Sequence, residues 1–197
     1  MMATIRWGLL SGVLLLLGCA GPAPRLYILG PPAPPVSGMT SEAGRPIVEL
    51  KTVTVPDYLD TLDIQLRDGQ NALKVSKTGR WGERLSIGVT RALEEDLTKR
   101  LPGLVIERSV ASGPPARTLL VTVDGFDIMP DGRCVLTARW SVLGADRQGI
   151  AASERASVVT MVPIGSDGMK DADIVAAMAA AVGQLADRVA FTLSRAR

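Results

Sequence analysis

Residues 118–143 read TLLVTVDGFDIMPDGRCVLTARWSVL, and their pattern decides the fold class. In the second half, Cys134, Leu136, Ala138, Trp140 and Val142 alternate with Val135, Thr137, Arg139 and Ser141. Such strict alternation is the period of a half-buried strand, and the first set faces the core. Thr118 to Met129 also reads as a strand, rich in β-branched residues. Asp131-Gly132 lies between them, a tight-turn dipeptide that makes the two strands antiparallel neighbours. Ala156 to Val162 follows as a third strand.

Working outward, the last stretch is helical. Ile174, Met178, Val182, Leu185, Val189 and Leu193 form one apolar stripe. Asp171 and Asp173 stand at its positive N-terminal end and Arg195 and Arg197 near its negative end. Upstream, Leu85, Val89, Leu93, Leu97 and Leu101 recur every fourth residue and predict a helix stopped by Pro102-Gly103. Leu104 to Glu107 is a short strand. Before that helix, Leu62 to Leu66 and Ala72 to Val75 flank Asp68-Gly69-Gln70-Asn71, a hairpin pattern. Ile47 to Val55 reads as a strand stopped by Pro56, and Leu26 to Leu29 as a further strand that pairs into the sheet. The order is strands, helix, strands, helix, without βαβ alternation. It predicts an α+β fold: a single domain, mainly antiparallel β-sheet, with two amphipathic helices packed on one face.

The chain has 197 residues, suited to one domain plus accessories. A net charge of +2 excludes a simple electrostatic nucleic-acid binder. There is no histidine, which removes Ser-His-Asp and Cys-His nucleophile systems and histidine-ligated zinc together. Glu94-Glu95-Asp96 reads as a solvated helix face beside Lys99 and Arg100. Asp57, Asp60 and Asp63 are spaced by three, whereas a calcium loop wants alternate positions and a glycine turn. The expectation is a non-enzyme with no cofactor and no metal site.

The N-terminus carries an export pattern. Trp7 to Leu17 is an apolar run too short to span a bilayer as a helix and suited to a secretory signal. It ends in Leu16-Leu17-Gly18-Cys19, the layout of a bacterial lipobox. On that reading residues 1–18 are the signal peptide, cut after Gly18, and Cys19 is acylated. Residues 19–46 hold the lipidated Cys, a proline-rich tether and the first strand, and residues 47–197 form the periplasmic domain. Stable anchoring takes more than one acyl chain. With Cys19 used by lipid, Cys134 has no partner within the chain and is expected to be buried as a small hydrophobe.

Two connecting segments concentrate unusual side chains: Val53-Thr54-Val55-Pro56-Asp57-Tyr58-Leu59 and Gly79-Arg80-Trp81-Gly82-Glu83-Arg84-Leu85. In a chain with three Trp, two Tyr and two Phe, aromatics there stand out. One reading is packing, with Trp81 covering the helix start and Tyr58 lying under the hairpin. The other is a partner or self-assembly surface made of Tyr58, Leu59, Arg67, Arg80, Trp81 and Arg84, with Lys74 and Lys77 adding positive charge.

These segments, with Tyr27, Val53, Val55, Pro56, Tyr58, Leu59, Ile64, Leu66, Arg67, Asn71, Leu73, Arg80, Trp81 and Glu83, resemble the PqiC/YmbA family of auxiliary lipoproteins for MCE-type lipid transport. Gly82 stands where that pattern has Ala, Arg84 where Pro is frequent, and Thr61-Leu62 where it is more often basic then Pro. The resemblance implies a non-catalytic periplasmic protein held at the outer membrane by acylated Cys19. Its implied partner is an MCE-domain protein that conducts phospholipid, with a homo-oligomer as a further possibility. Two other classes stay open: a lipid carrier with its own apolar pocket, and a general envelope-stability lipoprotein without transport partners.

The lipobox makes a direct prediction. Cys19→Ser is expected to leave a chain that is neither processed normally nor retained with membranes on fractionation. Unchanged processing and unchanged membrane retention overturn the lipoprotein reading of residues 16–19.

Overall fold

The computed structural model describes residues 23–30, 44–109, 113–146 and 149–196. The signal segment, with Leu16, Leu17 and Gly18, the acyl-acceptor Cys19, residues 31–43 of the proline-rich stretch and Arg197 lie outside them. Eight strands and two helices follow in order: β1 (Arg25–Tyr27), β2 (Ile47–Leu50), β3 (Asp63–Arg67), β4 (Leu73–Trp81), α1 (Leu85–Arg100), β5 (Val105–Glu107), β6 (Arg117–Ile128), β7 (Arg133–Leu143), β8 (Ile150–Met161) and α2 (Asp171–Arg195).

The fold is α+β, as the patterning predicts. Its strands form two sheets, one of three strands in the order β1-β4-β3 and one of five in the order β5-β2-β6-β7-β8. β6, β7 and β8 are antiparallel neighbours and so are β3 and β4. The mainly antiparallel pairing agrees with the patterning, and the strands divide between two sheets with the parallel pairs in the N-terminal strands. β1 lies parallel to β4, and β2 lies parallel to both β5 and β6. Parallel pairing requires a long connection between the strands, and the hairpin plus α1 supplies it between β2 and β5.

The segment Ile47 to Val55, expected as one strand, is ladder only over Ile47–Leu50. Beyond it the chain leaves the ladder and touches β6 again through an isolated bridge between Thr54 and Thr122. The reason is a competing acceptor: the Val53 amide donates to the Thr90 hydroxyl of α1 at 2.9 Å. That hydroxyl in turn donates to the Ser86 carbonyl at 2.6 Å. β8 also starts earlier than expected, at Ile150.

The core lies between the helices and one face of the large sheet. Cys134, Leu136, Ala138, Trp140 and Val142 are all buried, in phase along β7. They meet Ile174, Met178, Val182, Leu185, Val189 and Leu193 of α2, buried likewise. By length and composition α2 could cross a membrane. Its stripe is instead committed to the core, as an amphipathic helix of a globular domain requires. Trp140 donates its indole N–H to the Thr192 hydroxyl at 3.1 Å, so this buried indole has its polar atom satisfied. The Arg117 guanidinium donates to the Leu193 carbonyl at 2.7 Å and satisfies one of the open carbonyls at the end of α2. α1 and α2 are joined by Arg100, which pairs with Asp187 at 2.5 Å and donates to the Gly183 carbonyl at 3.0 Å.

Cys134 is free and buried, and burial pushes its thiol up to about 11. An unfolded cysteine ionises at about 8.5, so between those values the folded chain holds a proton that the unfolded chain has lost. The stabilising contribution of the protonated thiol is therefore full below the unfolded value and declines as pH rises through that window. In a Cys19→Ser chain at neutral pH, a thiol reagent is expected to label Cys134 only as fast as the domain opens, with denaturant accelerating it. Immediate labelling without denaturant overturns this placement.

Candidate functional site

The two singled-out segments fold around one hairpin. Pro56 starts a turn in which the Leu59 and Asp60 amides both donate to its carbonyl, at 2.9 and 3.2 Å. This drives Leu59 into the core and leaves Tyr58 outside. Arg67, at the end of β3, lies over the Tyr58 ring with its guanidinium carbon 5.7 Å from the centroid. Its Nη2 donates to the Tyr58 hydroxyl at 3.3 Å and its Nε to Asp127 of β6 at 2.6 Å. Burial, with a smaller contribution from Asp127, raises the Tyr58 hydroxyl above its ordinary value, and Arg67 opposes the shift. The hydrogen bond to Asp127 raises Arg67.

The second segment is strand, not connection: Arg80 and Trp81 are the last residues of β4. Alternation then sends them opposite ways. Arg80 points out and pairs with Asp63, its cross-strand neighbour, at 3.1 Å. Trp81 points in, with 4% of its surface exposed against 37% for Tyr58. Arg84 is exposed and stands 3.5 Å from Asp60. Asp60 also accepts from the Ser86 amide at 2.9 Å and caps α1, whose own N-cap Arg84 has no capping oxygen. Asp60 and Asp63, spaced like failed calcium ligands, thus serve as a helix cap and an ion-pair partner.

The six residues expected to share a surface therefore divide. Tyr58, Arg67, Arg80 and Arg84 reach the surface of the hairpin and the turn before it, each arginine beside a carboxylate. Leu59 and Trp81 are core, which corrects their placement on a surface: a central Trp anchor is not available there. Lys74 and Lys77 are exposed on β4 beside exposed Leu73 and Val75.

What the sequence left unread is how this hairpin is fastened. Thr78 donates to Asp171, the first residue of α2, at 2.5 Å. A Cβ on Gly79 would meet Asp171 at 2.8 Å and the Tyr27 ring at 2.9 Å, so only glycine fits between β1 and α2. Leu29, just after β1, is buried and would touch a Cβ on Gly88 of α1 at 3.5 Å. Arg91 donates to the Leu29 carbonyl at 2.9 Å and pairs with Glu83 at 2.7 Å. The only sequence signal for these contacts was glycine inside a strand and inside a helix, which marks close approach. Among the described residues no group of His, Cys, Asp and Glu could hold a metal ion.

A family model described as "ABC-type transport auxiliary lipoprotein component" matches residues 27–190, from the Tyr27 of β1 through most of α2. The chain belongs to that family. It is the PqiC/YmbA family that the motifs resemble. An auxiliary lipoprotein is membrane-anchored and associated with the cell envelope, and it assists a transport system. Among solved structures, an uncharacterized protein is 20% identical, with 87% of this chain and 99% of that one covered at a TM-score of 0.69. A Xanthomonas campestris protein of the DUF330 family is 15% identical, with 86% and 95% covered at a TM-score of 0.65. Both share the fold. No curated protein matches the chain in sequence.

For this auxiliary lipoprotein the split between core and surface is measurable. Trp81→Ala is expected to lower unfolding free energy by about 3–5 kcal/mol, as removal of a buried aromatic does. Arg80→Ala and Arg84→Ala, each removing an exposed ion pair, are expected to cost no more than about 1 kcal/mol. Denaturant titration of the three variants checks this, and a mild Trp81→Ala would place the ring outside the core.

Proposed function

We propose that this protein is the outer-membrane lipoprotein of an MCE-type intermembrane phospholipid transport system, anchored through acylated Cys19 on the periplasmic face. Its task is docking. The acyl chains hold the domain at the membrane while a protein surface receives the outer end of the conduit, and this supports envelope integrity. The observation that carries this reading is the family match over residues 27–190, together with the Leu16-Leu17-Gly18-Cys19 pattern ahead of it. The role is non-catalytic, and energy comes from other subunits of the transporter.

The docking surface on this reading is the hairpin, with Tyr58 and Arg67 at one end and exposed Leu73, Lys74, Val75 and Lys77 along β4. Each arginine there is already oriented by a carboxylate, which reduces the ordering cost of a contact. Residual positive charge comes from the two lysines and suits an acidic partner.

A second reading has one observation in its favour. At one end of the large sheet a groove of about 610 Å³ is lined by Pro46, Val48, Leu104, Ala116 and Ala151, with Arg117 beside them. Apolar walls suit an acyl chain, as a lipid carrier requires, with Arg117 and Asp146 both lining the groove.

Affinity purification of the tagged, acylated protein from native envelopes, followed by mass spectrometry of proteins and lipids, separates these. Docking is expected to bring down an MCE-domain protein, with the amount reduced roughly tenfold or more by Tyr58→Ala combined with Lys74→Glu and Lys77→Glu. Recovery of stoichiometric phospholipid with no MCE protein overturns docking in favour of the carrier.

A further inference from the structure

The large sheet has a second face, turned away from both helices. On it Arg139 of β7 stands directly opposite Arg155 of β8. Like charges opposite each other on a sheet are destabilising. One carboxylate answers both: Asp124 of β6 pairs with Arg139 and lies 3.8 Å from Arg155. Two guanidiniums on one carboxylate leave a positive charge uncompensated, and the two side chains are 52% and 67% exposed. The neighbouring glutamate, Glu154, alternates to the opposite face of β8 and does not offset it.

Hydroxyls flank this row on both sides. Thr137 lies opposite Ser157 with oxygens 3.4 Å apart, and Ser141 opposite Ser153 at 3.1 Å. Past Thr137 and Ser157 the same face carries exposed aliphatic side chains, with Asp127, paired to Arg67, beside Val135 and Arg133, paired to Asp131, opposite Met161. Val135 lies opposite Val159, and Met161 follows two residues on, about 7 Å further along the strand. Val159 and Met161 are both exposed.

We propose that this open face of β7 and β8 binds an anionic phospholipid membrane. Arg139, Arg155 and the hydroxyls beside them take lipid phosphates, and Val159 and Met161 enter the acyl boundary. The inference rests on the membrane-anchored reading of the family. The guanidinium fork and the hydroxyls are all donors suited to phosphate oxygens. A second copy seated face to face would bring four guanidiniums against two carboxylates. A protein partner would find no aromatic anchor in the aliphatic strip, which a hot spot usually has.

The test uses the mature chain with Cys19→Ser, so that no acyl group contributes, in flotation with vesicles. Binding is expected to equimolar phosphatidylcholine and phosphatidylglycerol, to be far weaker with phosphatidylcholine alone, and to weaken with added salt. Arg139→Ser with Arg155→Ser is expected to weaken binding roughly thirtyfold, about fivefold for each basic side chain at an anionic surface. Thermal midpoints should stay near that of the parent chain. Asp124→Asn, which removes the competing carboxylate, is expected to tighten binding and serves if the double variant does not fold. Equal binding to both vesicles, or undiminished binding by a folded double variant, overturns the proposal. Binding of poly-glutamate without vesicle binding reassigns the face to an acidic protein segment, and binding of inorganic phosphate without vesicle binding reassigns it to a free anion. Recovery of the transport partner is read in the separate purification from envelopes, so failure here leaves the docking reading standing.

Discussion

Trp140 and Thr192 fix the relation between α2 and the large sheet. The indole stands in the second half of β7, on the buried face that meets α2. Its N–H has one acceptor, and that acceptor sits a full helix-length from Asp171. A sliding or rotation of α2 by one residue would bury that N–H without a partner, at a cost of about 1–3 kcal/mol. The aliphatic stripe from Ile174 to Leu193 supplies most of the burial, but dispersion among Val, Leu and Ala tolerates shifts that a hydrogen bond does not. With so few aromatics, one donor sets the register that the aliphatic core leaves loose.

The smaller sheet borrows its position from the larger structure through polar contacts at its margins. Arg67 reaches Asp127, Thr78 reaches Asp171, and Arg91 holds the carbonyl of Leu29. Between these, Leu29, Ile64, Leu66 and Trp81 join the common core. This arrangement packs the β3 side of the hairpin and leaves the start of β4 at the surface, where Leu73, Lys74, Val75 and Lys77 are exposed. The same three contacts therefore hold the exposed start of β4 in one orientation without burying it.

Most of this fold was legible in sequence because its strongest patterns are local. The alternation from Cys134 to Val142, the every-fourth-residue repeats of both helices and the Asp131-Gly132 turn each specify an element from neighbours in the chain. What was not legible depends on distant partners. Nothing near Ile47 announces that it lies parallel to Val105, and nothing near Val53 announces that Thr90 takes its amide. The candidate surface shows the same division. Arg80 and Trp81 look like a paired aromatic and guanidinium until the strand continues through them and alternation separates the two. Asp60 reads as a spare carboxylate until α1, which lacks a capping residue of its own, is brought against it.

The parallel pairings of β1 and β2 bear on the order in which this chain can fold. β2 completes its ladder only with β5 and β6, and β1 only with the end of β4, all of which lie far downstream. Such separated contacts form late, because the intervening loop must close first. A chain delivered N-terminus first through a translocation pore would have nothing for Leu26, Leu29, Val48 and Leu50 to close upon until the middle of the sequence had passed. The local hairpin of β6 and β7 is the first large surface able to collapse. In a chain exported that way, the topology would delay compaction of the leading segment and favour onset of folding in the C-terminal half.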